Sequence, residues 1–415
     1  MRVINLAIGL FAMICASGCQ SAADTDLKAG IWRATLNRDG QELPLLLDVK
    51  QNPDKTTYTI FSVNGEERLQ LDSAYFKNDS LHVPMQIFDS EIIAALKKDQ
   101  LTGTYNRLKE GKVIASLPFQ ATFGENHRFF KEGVAKSDKN IAGKWSTVFV
   151  NTSTGDSTQA VGNFTQNGTT VQGSFLTPTG DYRYLNGNIN GDSLYLSTFD
   201  GSNALLFKAA LQSDGTLKGE QWSGVKGYKT WTAQLDPDAK LPDATKLTFL
   251  KPGFDKVNFS FPDSDGKVVS LNDPLYKDKV VIIQILGSWC PNCMDETNFL
   301  APWYRKNKER GVEIVGLAFE HSDKPEVSNP KIKKMITRFG MDYPVLLAGT
   351  NNDEATAKAL PMLNKVMSYP TTIFIDKKGK VREIHTGFSG PGTGKYYDQF
   401  VEEFNGLVTK MIDEK

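Results

Sequence analysis

The chain has 415 residues, more than one domain usually holds, and its polar, glycine-rich composition upstream of about residue 240 gives way to a helix-bearing tail. Its 48 basic residues balance 48 acidic ones, and no region offers the polycationic face that nucleic acid requires. At the N-terminus, Met1-Arg2 gives a short charged start, Val3 to Cys15 is mostly apolar, and Ala16-Ser17-Gly18-Cys19 matches a lipoprotein signal-peptidase box. The apolar run is too short to span a bilayer, which needs about 20 residues. Residues 1–18 are therefore read as a lipoprotein signal peptide. Cleavage before Cys19 and acylation of that residue would tie the mature protein to the membrane.

An internal duplication follows, with a first β repeat at 19–134 and a second at 135–236. Ala29-Gly30-Ile31-Trp32 reappears as Ala142-Gly143-Lys144-Trp145, and Asn78-Asp79-Ser80-Leu81 reappears at the same offset as Gly191-Asp192-Ser193-Leu194. Each copy reads as short alternating strands, such as Thr57-Tyr58-Thr59-Ile60-Phe61, separated by turn signals such as Asn64-Gly65, Asn167-Gly168 and Asp214-Gly215. The expected fold is all-β and antiparallel, either two small barrels or one sandwich built from both copies. Trp32, Trp145 and Trp231 are expected in the core, while Asp79, Asp192 and Asp200 sit beside turns and cap them. Neither copy shows a catalytic constellation.

Residues 237–253, with Pro237 and Pro242, read as a semi-rigid linker to a third unit at 254–415. There a hairpin at Phe259 to Leu271 precedes strand 280–286, helix 291–310, strand 312–318, helix 329–339, strand 343–347, helix 354–367, strands 371–376 and 381–387, and helix 395–412. Val280 to Leu286 is an apolar run broken only by Gln284, the pattern of a strand buried on both faces. Pro302 is expected to bend or split the first helix. Asp376-Lys377-Lys378-Gly379-Lys380 makes the last two strands antiparallel.

Between the first strand and helix stands Trp289-Cys290-Pro291-Asn292-Cys293, and with Cys15 and Cys19 in the leader region these are the remaining cysteines of the chain. A structural zinc site would need two more ligands, but His82, His127, His321 and His385 lie too far apart to supply them as a pair, so no metal is expected. Thiol redox chemistry fits better. Pro291 suits the first helical position, which puts Cys290 at a helix N-terminus, where the macrodipole and unpaired amides favour a thiolate. Cys290 is then the exposed attacking sulfur, and Cys293, one turn in, the shielded resolving one. Glu296 lies three residues beyond Cys293 on the same helical face; a carboxyl partly buried beside a thiol has its pKa raised and can accept the thiol proton. Asp295 and Glu309 read as solvent-facing helix acids; Glu320 and His321, after strand 312–318, either border the active site or, as the favoured reading has it, are surface loop residues.

These residues resemble the TlpA/ResA-like branch of thioredoxin-fold thiol:disulfide oxidoreductases over about residues 254–412. The matching motifs are the lead-in Phe259 to Lys267, Trp-Cys-x-x-Cys-x-x-Glu ending at Glu296, and Tyr369-Pro370-Thr371-Thr372-Ile373-Phe374-Ile375-Asp376. The resemblance implies an α/β thioredoxin-like domain with a cis Pro370 beside the cysteines, so that Tyr369, with Trp289, borders the substrate groove. It also implies that Gln284 stands where soluble thioredoxins keep a buried aspartate, which leaves the proton to Glu296. A peroxidase of this fold needs P-x-x-x-T-x-x-C, and the corresponding places hold Ile283 and Gly287. The expected activity is an envelope dithiol:disulfide oxidoreductase without a cofactor, lipid-anchored and periplasm-facing. Its expected partners are a disulfide-bearing client protein and a membrane electron donor. The family favours the reducing direction, for example during cytochrome c maturation, although such couples range from about −270 to about −120 mV. The alternative is a client-binding lipoprotein whose β repeats are the carrier and whose thioredoxin fold is a scaffold.

Overall fold

The computed structural model describes residues 26–131 and 139–414. Cys19 and the leader lie outside them. Each β repeat closes into its own antiparallel barrel of eight strands, and the sandwich alternative does not occur. In the first repeat, strands run from Gly30–Arg38 to Lys112–Phe123, and the ring closes where Gln41–Gln51 pairs with Thr57–Asn64. The second runs from Gly143–Asn151 to Gly227–Leu235, and Ser157–Asn167 closes on Thr170–Thr177. Closure leaves none of these barrel strands as a free edge.

Alternation fills each barrel: along Thr57–Asn64 every second residue is buried, so one face packs inward and the other meets solvent or a neighbour. The repeated Ala-Gly-x-Trp has a structural reason. Gly30 and Gly143 both take φ values open to glycine, +124° and +119°, and the indole two residues on bonds a carbonyl four residues back. Trp32 donates to Lys28 (2.9 Å) and Trp145 to Ile141 (2.8 Å). Trp32, Trp145 and Trp231 are buried. In the second barrel, Phe149, Phe175 and Trp231 pack largely edge to face.

The two barrels touch through polar bonds. Ser62 and Asn64 donate to the Phe199 carbonyl, Ser90 and Tyr105 to that of Gly201, and the buried Arg128 bridges to Ser197. The turn at Asp200–Asn203 is thereby held between the repeats.

The C-terminal unit is thioredoxin-like. Its sheet comprises β1 (Val280–Leu286), β2 (Val312–Glu320), β3 (Val345–Thr350), β4 (Thr371–Ile375) and β5 (Val381–Thr386), in the order β3-β2-β1-β4-β5. Strands β1, β2 and β3 are parallel; β4 and β5 are antiparallel. Every residue of β1, β2 and β4 is buried, as expected for strands covered on both faces. Helices α1 (Pro291–Asn307), α2 (Pro325–Phe339) and α4 (Lys395–Asp413) supply Leu300, Ile332 and Phe404 to one face. The hairpin and Leu360 to Val366 cover the other.

Pro302 lies inside α1 without splitting it. Two sequence expectations change here. Helix α2 begins at Pro325 rather than 329, with proline in the first turn. The expected helix 354–367 is only α3 (Asp353–Ala359), because Pro361 cannot extend it. Residues 237–253, read as a semi-rigid linker, are held against the C-terminal unit: Ala239 and Thr248 are buried, Thr248 N–H donates to Thr386 Oγ1 (3.1 Å), and Lys251 N–H donates to the Met362 carbonyl (2.8 Å).

Candidate active site

Strand β1 ends at Leu286, and Gly287-Ser288 turn the chain into α1. The turn is held from β2: Glu320 accepts from the Ser288 N–H and hydroxyl, both at 2.8 Å. Burial pushes the Glu320 carboxyl up, against those two bonds. Glu320 is thus a buried anchor and not a surface loop residue. A side chain on Gly287 would place Cβ 2.3 Å from the Trp289 Nε1, so glycine leaves room for the indole, which donates to the Phe319 carbonyl (3.0 Å). Trp289 stacks on His321 at 4.9 Å and meets Tyr369 edge-on at 5.4 Å; His321 borders the site instead of standing apart from it.

Cys290 is the N-cap of α1. Its sulfur accepts from the Cys293 N–H (3.2 Å) and its thiol donates to the Tyr369 carbonyl (3.3 Å). The two sulfurs lie 2.6 Å apart. The Tyr369–Pro370 bond is cis, so the sequence-predicted Trp289, Cys290, Cys293, Tyr369 and Pro370 come together. Cys290 is only 5% exposed, however, and Cys293 not at all. The expected open thiol is covered, because the second barrel lies over this face: the Ser368 hydroxyl bonds the Thr179 carbonyl, and the Gly390 N–H donates to Asp181 (2.7 Å). Burial, followed by the bond to Cys290, pushes the Cys293 thiol well up.

Glu296 is buried beneath the pair. Its carboxyl accepts from Thr372 Oγ1 (2.5 Å) and Gln284 Nε2 (2.8 Å), while Gln284 also donates to Thr297 (3.1 Å). Burial raises the Glu296 pKa to about 7 although both bonds lower it. Gln284 therefore orients the Glu296 carboxyl. Thr372 belongs to the cis-proline motif, but its contact with Glu296 joins residues far apart in sequence.

Asp295 is the clearest correction. It is buried, and its carboxylate pairs with Arg183 of the second repeat at 2.7 Å. Burial pushes its carboxyl up to about 8 despite that cation. A cluster of charged residues, Arg183 with Glu67, Asp181 and Asp200, lies in the repeats against the redox turn. Asp200 also caps its turn as expected, accepting from the Ser202 and Asn203 N–H groups. No group of metal-ligating side chains occurs among the described residues.

Residues 237–399 match the Redoxin family. A thiol-disulfide oxidoreductase ResA of Bacillus thuringiensis (strain Al Hakam) is 31% identical over 162 residues, 39% of this chain and 79% of that protein. ResA of Halalkalibacterium halodurans is 28% identical over 162 residues, again 39% of this chain and 79% of the relative. Among solved structures, a thioredoxin family thiol:disulfide interchange protein from Chlorobium tepidum TLS aligns at 23% identity with a TM-score of 0.30, covering 38% of this chain and 95% of that one.

Proposed function

The chain belongs, through its C-terminal domain, to the TlpA/ResA-like thiol-disulfide oxidoreductases, and from that premise we propose that it reduces disulfides of client proteins in the bacterial envelope. The observation that carries this reading is the Cys290–Cys293 pair at the cap of α1, beside the Tyr369 carbonyl.

In the reducing direction, the Cys290 thiolate attacks one sulfur of a client disulfide. The client S–S bond breaks, and its other sulfur leaves as a thiolate and takes up a proton. Cys293 then gives its proton to Glu296 and attacks the Cys290 sulfur, so the second client sulfur leaves reduced. Two electrons have passed to the client, and the resulting Cys290–Cys293 disulfide needs a membrane electron donor for the next turnover. Support for Glu296 as acceptor is its burial one turn from Cys293 and its pKa near 7, close to where a general base works best. Trp289, Tyr369 and Pro370 border the client groove in this reading. Acylated Cys19 anchors the protein facing the periplasm.

The test is reduction of a disulfide-linked peptide by the pre-reduced protein. One peptide disulfide should be consumed per Cys290–Cys293 pair, and Cys290→Ser should abolish the reaction; full activity in that variant would remove the pair from the chemistry.

A further inference from the structure

The redox turn is held from outside its own domain. Ser202 Oγ donates to the Trp289 carbonyl (3.4 Å), Arg183 Nη1 to the Pro291 carbonyl (2.8 Å), and Asn292 Nδ2 to the Asp181 carbonyl (3.2 Å). Three of the five residues in Trp289–Cys293 are thus bonded by the second β repeat. The approach is close: a Cβ on Gly180, whose φ is +137°, would lie 2.6 Å from Asn292 Nδ2.

Arg183 is the centre of this contact. Its side chain is 3% exposed, its φ is +55°, and its guanidinium reaches Asp295 on α1, Glu67 of the first repeat and Asp200 of the second. A non-glycine residue in the left-handed region is strained, and a buried cation must recover its desolvation from its partners. Both features converge on the one side chain that bonds the dipeptide between the cysteines. A planar fork that serves several acceptors at once suits a positioning task better than a point charge does.

We propose that Arg183 is a positioning residue for thiol–disulfide exchange, and that by gripping the Pro291 carbonyl and Asp295 it holds the Cys290–Cys293 turn in the closed geometry from which Cys293 attacks. The inference rests on the dithiol reaction proposed above. Intramolecular attack gains its advantage when the reacting groups are already oriented toward each other, and the tendency of the pair to close as a disulfide is what makes it a reductant. Loosening the turn lowers the effective concentration of one sulfur at the other, which weakens the reductant and slows resolution.

The test measures the reduction potential of the full chain against glutathione buffers and the rate at which Cys293 resolves a mixed disulfide on Cys290. Arg183→Met should lower the closure equilibrium constant about tenfold, which for this two-electron couple raises the potential by about 30 mV, and should slow resolution by a similar factor. Arg183→Lys keeps the charge among the carboxylates but not the fork, and should fall between Met and wild type in both readouts. Circular dichroism checks folding, and if the Met variant does not fold, the Lys variant decides alone. A folded variant with wild-type potential and resolution rate would make Arg183 an interdomain salt bridge and nothing more. A wild-type protein without a reversible Cys290–Cys293 couple would overturn the reductase reading and this inference with it.

Discussion

Glu296 and Gln284 show how a carboxyl is kept inside the domain close to neutrality. Burial alone would drive Glu296 neutral, and the bonds from Gln284 and Thr372 hold part of that shift back. Glu296→Gln should leave Cys290 alkylation intact while slowing the resolution step about 10²–10⁴-fold, the usual cost of losing a general base. Resolution at the wild-type rate across the pH range would return Glu296 to a structural role. Stability should move the other way. The folded-state pKa, about 7, lies above the ordinary glutamate value of 4.5, so the folded protein binds the extra proton between those limits. Its contribution is fully present below about pH 4.5 and lost as pH rises through 7. Above pH 7 the ionised carboxylate then costs of the order of 3 kcal/mol that glutamine does not. In thermal melts the variant should be the more stable protein at pH 8, with the gap closing toward pH 5; a constant gap would contradict the raised pKa.

At the level of elements, the turn from β1 into α1 is determined twice, once locally and once from a distance. The local part was legible in the sequence: an apolar run broken only by Gln284, a glycine, and a cysteine before proline specify a buried strand ending in a capped helix. The distant part was not. Glu320 follows an apolar strand and looks like the start of a loop until its bonds to Ser288 are seen. Asp295 looks solvent-facing because its partner, Arg183, lies in the second β repeat and belongs to no motif. Helix periodicity likewise overran Pro361, since Leu363 and Val366 are buried by packing without being helical. Gly287→Ala tests the turn. With no room beside Nε1, the indole must leave the Phe319 carbonyl, and overpacking of this kind typically costs about 1–3 kcal/mol. The variant should show a changed Trp289 emission, identified by comparison with Trp289→Phe, and reduced peptide-disulfide turnover. Unchanged emission and stability would mean that the turn tolerates a side chain there.

Across the whole molecule, both barrels hold the thioredoxin-like domain. The first meets α2 through Lys331–Asp89 (2.6 Å) and Lys334–Asp72 (2.7 Å), and the second covers the redox turn. The duplication was legible because its Gly-x-Trp and turn signatures are local requirements of each barrel; the docking was not, because it joins residues far apart in the chain, as Ser202–Trp289 and Lys334–Asp72 are. The proposed membrane link rests on the leader motif alone. Among the described residues no helix is long and apolar enough to cross a bilayer, and Cys19→Ala should move the protein from the membrane fraction to the soluble one. Retention in the membrane after that change would require another anchor. The most direct test of the central claim is capture of the client in cells. With Cys293→Ser, Cys290 should accumulate mixed disulfides with a small set of envelope proteins. These should be released by reductant and absent when Cys290 is also replaced; a variant that traps no protein, or traps the same set without Cys290, would contradict the account.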